Sequence, residues 1–380
     1  MALSGQLTLP APDMTVVAPP GPERGILGTP PDDYVTSEHF LVTWDDAGTE
    51  EIAEQTLQDL EAAWVLVDQG WAEPVSADAY LLHVKLYPLG GTGVTTEVAA
   101  DAYPENVPVI YVNPDYASNT AFWSHLVAHE FAHALQFKQR DDWSSTADEA
   151  WFWEASAEWQ VEQALPDLNH YAQQTAYYAW QPHFRFDSLD GSHQYGMVAL
   201  TAWLDEFHWG ADGLRETWEE SGEGTPWLEL LGDPAEIWPG FTHAYGNGLL
   251  AESSLHYEVV PTTLKDEATG TLPMLGTHYL LAQTSTHVRA TRGDVLLSAD
   301  EVVEGQLLAV TALEDDTRYE LELYTPVEDS GDTASEDTAV FPGEKPLPSP
   351  QPACGCQGGP GGASLIAVLL GSIMARRRSL

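Results

Sequence analysis

The stretch Ser124-His125-Leu126-Val127-Ala128-His129-Glu130-Phe131-Ala132-His133-Ala134-Leu135-Gln136 constrains this chain more than any other segment. It reads as a helix. Four residues make slightly more than one turn, so His129 and His133 leave the same face one turn apart. Two imidazoles so placed can hold one zinc ion at about 2.0–2.1 Å each, and Glu130 lies beside them, where a carboxylate can take a proton from water. This is the H-E-x-x-H spacing of zinc metallohydrolases. The plain alternative is two histidines on an ordinary helix.

A catalytic zinc takes three protein ligands and keeps one position open. The third must come from a second element packed on the first. Residues 148–162 supply one, a helical stretch rich in small and aromatic residues, in which Glu154 follows His133 by 21 residues. That gap fits a loop and the start of a facing helix. Glu158, one turn beyond Glu154, is a rival ligand.

His129 and His133, followed by Trp151-x-x-Glu154-Ala155-Ser156-Ala157-x-Trp159, resemble the motifs of gluzincin metalloproteases. More narrowly, they are similar to a group of surface metalloproteases from myxobacteria, whose second motif reads Glu-Gly-Thr-Ala-x-Trp. The resemblance implies zinc ligands at His129, His133 and Glu154, with Glu130 as the general base and Glu158 as a supporting partner. Ala155-Ser156 departs from Gly-Thr but keeps both positions small. Ser37–Trp44 resembles the first strand of that group, and the likeness runs loosely over residues 37–250.

Within this scheme a hydrogen-bond donor is needed for the carbonyl oxygen that becomes anionic. Tyr195, in Gly191-Ser192-His193-Gln194-Tyr195-Gly196, is the first candidate and His193 the second. A Tyr-Gly pair recurs at this point in the resembling group, although Tyr195 also suits a packed aromatic at a helix start. His125 continues the four-residue spacing of His129 and His133. As a ligand it would sit two turns from His133, so it is expected as a supporting or surface histidine. Trp151, Phe152, Trp153 and Trp159 read as core.

The remaining pattern gives an α+β chain. Residues 1–36 are rich in Pro and Gly and read as a flexible leader, without the basic start and apolar run of a secretory signal. Residues 37–250 form the expected zincin-like metalloprotease domain, with a mixed sheet, the active-site helix and a helical subdomain. Strand His39–Trp44, a helix over Glu50–Val67, strand Tyr80–Tyr87 and strand Pro108–Asn113 precede the His129 helix. Val109–Val112 is the candidate edge strand over the cleft, where an extended substrate could pair. Helices follow through Tyr195–His208 and Gly213–Glu220, and a looser stretch broken by Pro239 and Gly240 runs to Tyr245. Residues 251–327 alternate in short runs (His278–Ala282, Asp294–Ser298, Gln306–Thr311, Tyr319–Tyr324) and read as a small β-rich module.

Residues 328–353 are acidic and then Pro-rich, an expected linker. Residues 354–380 carry Cys354, Cys356, the apolar run Ala363–Ala375 and Arg376–Arg378, in the order of a C-terminal membrane anchor. This tail resembles the myxobacterial C-terminal sorting signal, which implies display at the cell surface. Display requires export, so a leader upstream of Met1 is expected.

The whole chain carries 59 acidic against 14 basic residues, a net charge of −45. Such a surface repels nucleic acid and leaves a protein or peptide as the expected partner. No D-x-[DN]-x-[DN]-G calcium loop is present. The expectation is therefore a zinc-dependent endopeptidase at the cell surface. Its alternative is an inactive binding or adhesion protein on the same scaffold.

Overall fold

The computed structural model describes residues 24–27, 32–45, 49–100, 106–140, 150–221, 227–250, 258–265 and 267–326. The expected leader up to residue 23, the linker and the C-terminal tail lie outside the described residues. The chain is mixed α and β, with a β-rich region toward residue 326.

The first layer is a five-stranded sheet among the described residues. Its strands are β1 (Tyr34–Thr36), β2 (Phe40–Trp44), β3 (Leu82–Leu86), β4 (Gly93–Val98) and β5 (Val107–Val112), in the spatial order β1-β2-β3-β5-β4. β2, β3 and β5 run parallel, while β1 and β4 are antiparallel to their neighbours. Parallel strands covered on both faces read as continuous apolar runs, and β5 is buried along its whole length. Residues 34–36, placed in the leader by the sequence, pair with β2 because Tyr34, Val35 and Thr36 meet Thr43, Val42 and Leu41.

The edge strand differs from expectation. Val109–Val112 is internal, flanked by β3 and β4, and the sheet ends in β4. The burial pattern explains the correction. The apolar run Val-Pro-Val-Ile-Tyr-Val fits a site covered on all sides, whereas Gly-Val-Thr-Thr-Glu-Val is mostly half-buried and suits a rim.

Helix α1 (Glu50–Ala63) starts at the cap Thr49, whose hydroxyl accepts from Ile52 N at 3.3 Å, with Glu50 and Glu51 in the favourable first turn. It buries Ala53, Leu57 and Leu60. The expected helix to Val67 breaks at Trp64, and a short α2 (Val65–Asp68) follows. Helix α3 (Thr120–Gln139), capped by Asn119, is buried on every side from Trp123 to Phe137. The sheet covers one flank, and α1 and α4 (Ala150–Ala164) cover the rest. Trp151, Phe152, Trp153 and Trp159 on α4 are all buried, as core. Trp218 and Trp227 close over this aromatic layer, and Arg140 lies 4.8 Å from the Trp227 ring centroid.

The helical part continues with α5 (Tyr171–Trp180), α6 (His193–Gly196), α7 (Val198–Trp203), a π-helical turn over Leu204–Trp209, α8 (Gly210–Ser221), α9 (Trp227–Leu231) and α10 (Pro234–Gly246). The stretch expected to break at Pro239 and Gly240 is one helix. Pro239 lies inside this helix, beyond its first turn, and leaves the Ala235 carbonyl without its usual intrahelical donor.

The β-rich part contains β6 (Thr262–Thr263), β7 (Glu267–Leu272), β8 (Thr277–Leu281), β9 (Thr286–Arg292), β10 (Val295–Leu297), β11 (Glu301–Val302), β12 (Leu307–Ala312) and β13 (Thr317–Tyr324). They form two four-stranded sheets among the described residues, ordered β10-β12-β8-β6 and β11-β9-β13-β7. Their inner faces share a core of Leu272, Leu280, Val288, Leu308, Val310 and Leu321. The helical part and these sheets belong to one compact unit that ends at Pro326. Asn247 joins them by accepting from Leu307 N at 2.9 Å and donating to Leu307 O at 3.1 Å. Among the described residues no helix is long and apolar enough to cross a membrane.

Candidate metal centre

Helices α3 and α4 pack on each other and run in opposite directions, since His125 meets Glu158 and His129 meets Glu154. The i, i+4 spacing on α3 places His129 and His133 toward α4, where Glu154 meets both. His129 Nε2 and His133 Nε2 are 3.1 Å apart. Glu154 Oε2 is 3.1 Å from His129 Nε2 and 3.5 Å from His133 Nε2. Three ligand atoms on a tetrahedron with bonds of about 2.0–2.1 Å are separated by about 3.3 Å. The side chains therefore already have the spacing of a cation's first three ligands, and this His/Glu group can hold a metal ion.

Each ligand is held from behind. His133 Nδ1 donates to Gln136 Oε1 at 2.7 Å. The Gln136 amide in turn donates to Trp153 O at 3.2 Å and Ser156 Oγ at 3.1 Å on α4. One side chain thus orients a ligand and pins the helix that carries Glu154. Ser156 sits where the resembling group has Thr, and its hydroxyl donates back to Phe152 O at 2.6 Å. His129 Nδ1 lies 3.1 Å from Glu158 Oε1, close enough for an ion pair though not aligned as a straight hydrogen bond. Glu158 thus stands behind His129, while Glu154 is the carboxylate that faces both imidazoles.

Burial works to raise the Glu154 carboxyl, but hydrogen bonds and charge from His129 and His133 outweigh it and hold it down at about 2. For His129 burial opposes the charged form, and Glu154 and Glu158 overcome it to push the pKa well above 6.5. This concentration of negative charge around two imidazoles equally favours a divalent cation between them.

Glu130 points to the other flank, under β4. The Thr95 hydroxyl is 2.7 Å from the Glu130 carbonyl oxygen and 2.8 Å from its Oε2, and shares its one proton between them. Gly93 faces Oε1. Burial raises the Glu130 pKa, opposed by the nearby His133 and His129 charges and by Thr95. A carboxyl whose pKa is raised is a stronger base than an exposed one, as proton transfer requires.

Tyr195 on α6 comes to the same place. Its ring centroid is 6.0 Å from that of His129, and its hydroxyl lies near enough to Glu154 to feel that carboxylate's charge. The charge of Glu154, and then burial, raise its pKa strongly, so it is a donor and not a phenolate. The adjacent Gly196 is required by close packing, since any Cβ there would strike the backbone nitrogen of Tyr178 on α5. His193, the second candidate donor, packs instead against Tyr178 and Phe184 at centroid distances of 6.2 and 6.0 Å, and burial lowers its pKa to about 4. His125 is buried and pairs with Glu158 at 3.2 Å.

The sequence alone does not single out Gly93, Thr95, Gln136 or His170. For β4 a signal existed, because the Gly90-Gly91-Thr92-Gly93 turn precedes the β-branched run Val94-Thr95-Thr96. Nothing local marks Gln136 or His170.

A family model described as "Family of unknown function (DUF6055)" matches residues 76–236. That span holds the three facing ligands together with Glu130, Glu158 and Tyr195. No curated protein and no solved structure matches the chain.

Proposed function

We propose that this chain is a zinc-dependent endopeptidase of the gluzincin type on a zincin-like fold. The observation that carries the reading is the convergence of His129 Nε2, His133 Nε2 and Glu154 Oε2 at tetrahedral spacing, with the buried Glu130 carboxyl near enough to feel the charges of His133, His129 and Glu154. Two imidazoles and one carboxylate suit zinc, which when bound supplies Lewis acidity to a carbonyl and lowers the pKa of a water toward about 7.

The residues divide the remaining work. Glu130 takes a proton from the attacking water and returns it to the leaving amine. Thr95 holds Oε2, which leaves Oε1 for the transfer. Tyr195 donates to the oxygen that becomes anionic as the tetrahedral species forms. Strand β4 ends the sheet among the described residues, directly above Glu130. An extended peptide laid antiparallel along its outer side would bring successive carbonyls past the ligands. The Cys354–Arg378 segment supports display of this activity at the cell surface.

The test is elemental analysis of the purified protein, together with cleavage of an unfolded protein such as casein by wild type and Glu130→Gln. One zinc at His129, His133 and Glu154, with cleavage lost in Glu130→Gln and zinc retained, is the expected result. Zinc without turnover on any peptide library would replace the peptidase with a binding protein, and absence of zinc would discard both.

A further inference from the structure

One turn along the same two helices, the arrangement repeats. His125 precedes His129 by four residues and Glu158 follows Glu154 by four. Each antiparallel helix therefore offers a second side chain of the same chemistry at the next level. His125 Nε2 is 3.2 Å from Glu158 Oε1. His170, just before α5, lays its ring against that of His125 with centroids 3.8 Å apart. The three residues each present a ligand atom, all within 4.8 Å of one another.

An ordinary imidazolium–carboxylate pair accounts for only part of this cluster. It satisfies His125 Nε2 and Glu158 Oε1, but Glu158 Oε2, His125 Nδ1 and His170 Nδ1 stay buried without a hydrogen-bond partner. Glu158 is 1% exposed and His125 3%, so water does not reach them freely. Buried polar groups normally find partners, and three orphaned atoms on three touching metal-binding side chains need one.

We propose that His125, Glu158 and His170 form a second site for a divalent transition-metal ion, separate from the site of His129, His133 and Glu154. Two imidazoles and one carboxylate favour zinc and its neighbours over calcium or magnesium, which prefer all-oxygen shells. The His125 and His129 ring centroids are 5.9 Å apart. The second ion would be auxiliary, since its holders stand one helical turn, about 5.4 Å, along the helices from those of the first site, beyond the about 3.5–4 Å between the ions of two-metal hydrolytic centres. It would fasten α3, α4 and the start of α5 together. It would also draw negative charge from Glu158, the carboxylate behind His129, and thereby weaken binding at the first site. Linkage makes that effect mutual, so the sites fill in two steps.

The proposal does not depend on peptidase activity. Full-length protein is stripped with chelator and titrated with Zn²⁺ and with Co²⁺ by equilibrium dialysis and elemental analysis. The expected stoichiometry is two ions per chain, falling to one in His170→Ala and to one in Glu154→Ala. His170 is half-buried, so its truncation spares the core. Should His170→Ala still fail to fold, His170→Gln gives the same comparison with a polar side chain. His170→Cys, which restores a metal-binding group, should regain the second ion. Saturation of wild type at one ion, or two ions retained in folded His170→Ala or His170→Gln, overturns the proposal. Two ions with no cleavage would keep this site and discard the peptidase, whereas cleavage with a single ion would do the reverse.

Discussion

Gly93 on the edge strand and Glu130 on the central helix touch so closely that a Cβ at position 93 would lie 2.6 Å from Glu130 Oε1 and 2.9 Å from its Cγ. The proposed base is thus confined by a strand from a distant part of the sequence. Gly93→Ala should push either the carboxylate or β4 out of place. The expected cost is about 1–3 kcal/mol of stability from overpacking. The proposed activity should fall about 10²-fold, the usual penalty for a misplacement of roughly 1 Å. Zinc content should not change. Measured kcat, zinc content and Tm check this together, and an unaltered kcat would remove Glu130 from its role.

Glu158→Gln keeps the shape of the carboxylate behind His129 and removes its charge. Such supporting groups tune metal affinity by about 10–100-fold. The first-site zinc affinity should fall by that factor when read in a His170→Ala background, where one ion is counted. An unchanged affinity there would mean that the 3.1 Å approach of Glu158 to His129 Nδ1 has no part in holding zinc.

Tyr195→Phe should leave zinc content and KM close to wild type. Its kcat should drop by about 10²-fold, as when one oxyanion donor is lost. A fall in KM-independent terms alone is diagnostic, because a merely packed aromatic would change Tm and not kcat.

Acid should destabilise the fold through buried neutral histidines. Burial, and then the Lys85 charge, lower His83 to about 4, and its Nε2 contacts the Thr43 hydroxyl at 2.9 Å. The unfolded chain protonates this group below about 6.5, whereas the folded chain refuses the proton until about 4. Stability is therefore complete above pH 6.5 and is lost as pH falls toward 4, by roughly 3 kcal/mol for this one residue. Denaturation midpoints at pH 7.5, 5.5 and 4.5 for wild type and His83→Gln measure it, and a variant with the same pH slope as wild type would sink the assignment.

The parts of the site legible in the sequence are those set by helical spacing. His129, Glu130, His133 and Glu154 could be assigned to faces because a four-residue step has a fixed geometry. The aromatic run Trp151–Trp153 declared its burial by composition. What sequence could not supply was register between elements. Among the described residues the edge is a polar, half-buried strand, and its pairing with β5 brings Thr95 and Gly93 over Glu130. His170 lies 45 residues beyond His125, and its place depends on how α5 enters the bundle. Strands β7 and β9, which the sequence pattern does not mark, expose Thr269 and Thr271 and Arg289, Thr291 and Arg292, which hides the alternation that marks β8 and β12.

The Gln136 link between His133 and helix α4 has a consequence for how such a sequence can drift. A descendant that replaces His133 would strand the Gln136 carbonyl in a dry interior, and one that replaces Gln136 would leave both the His133 Nδ1 proton and Ser156 to find new company. Positions 133, 136 and 156 should consequently change together or not at all. An alignment of related chains would show them as a co-varying triplet, lost as a set wherever the metal chemistry has been abandoned.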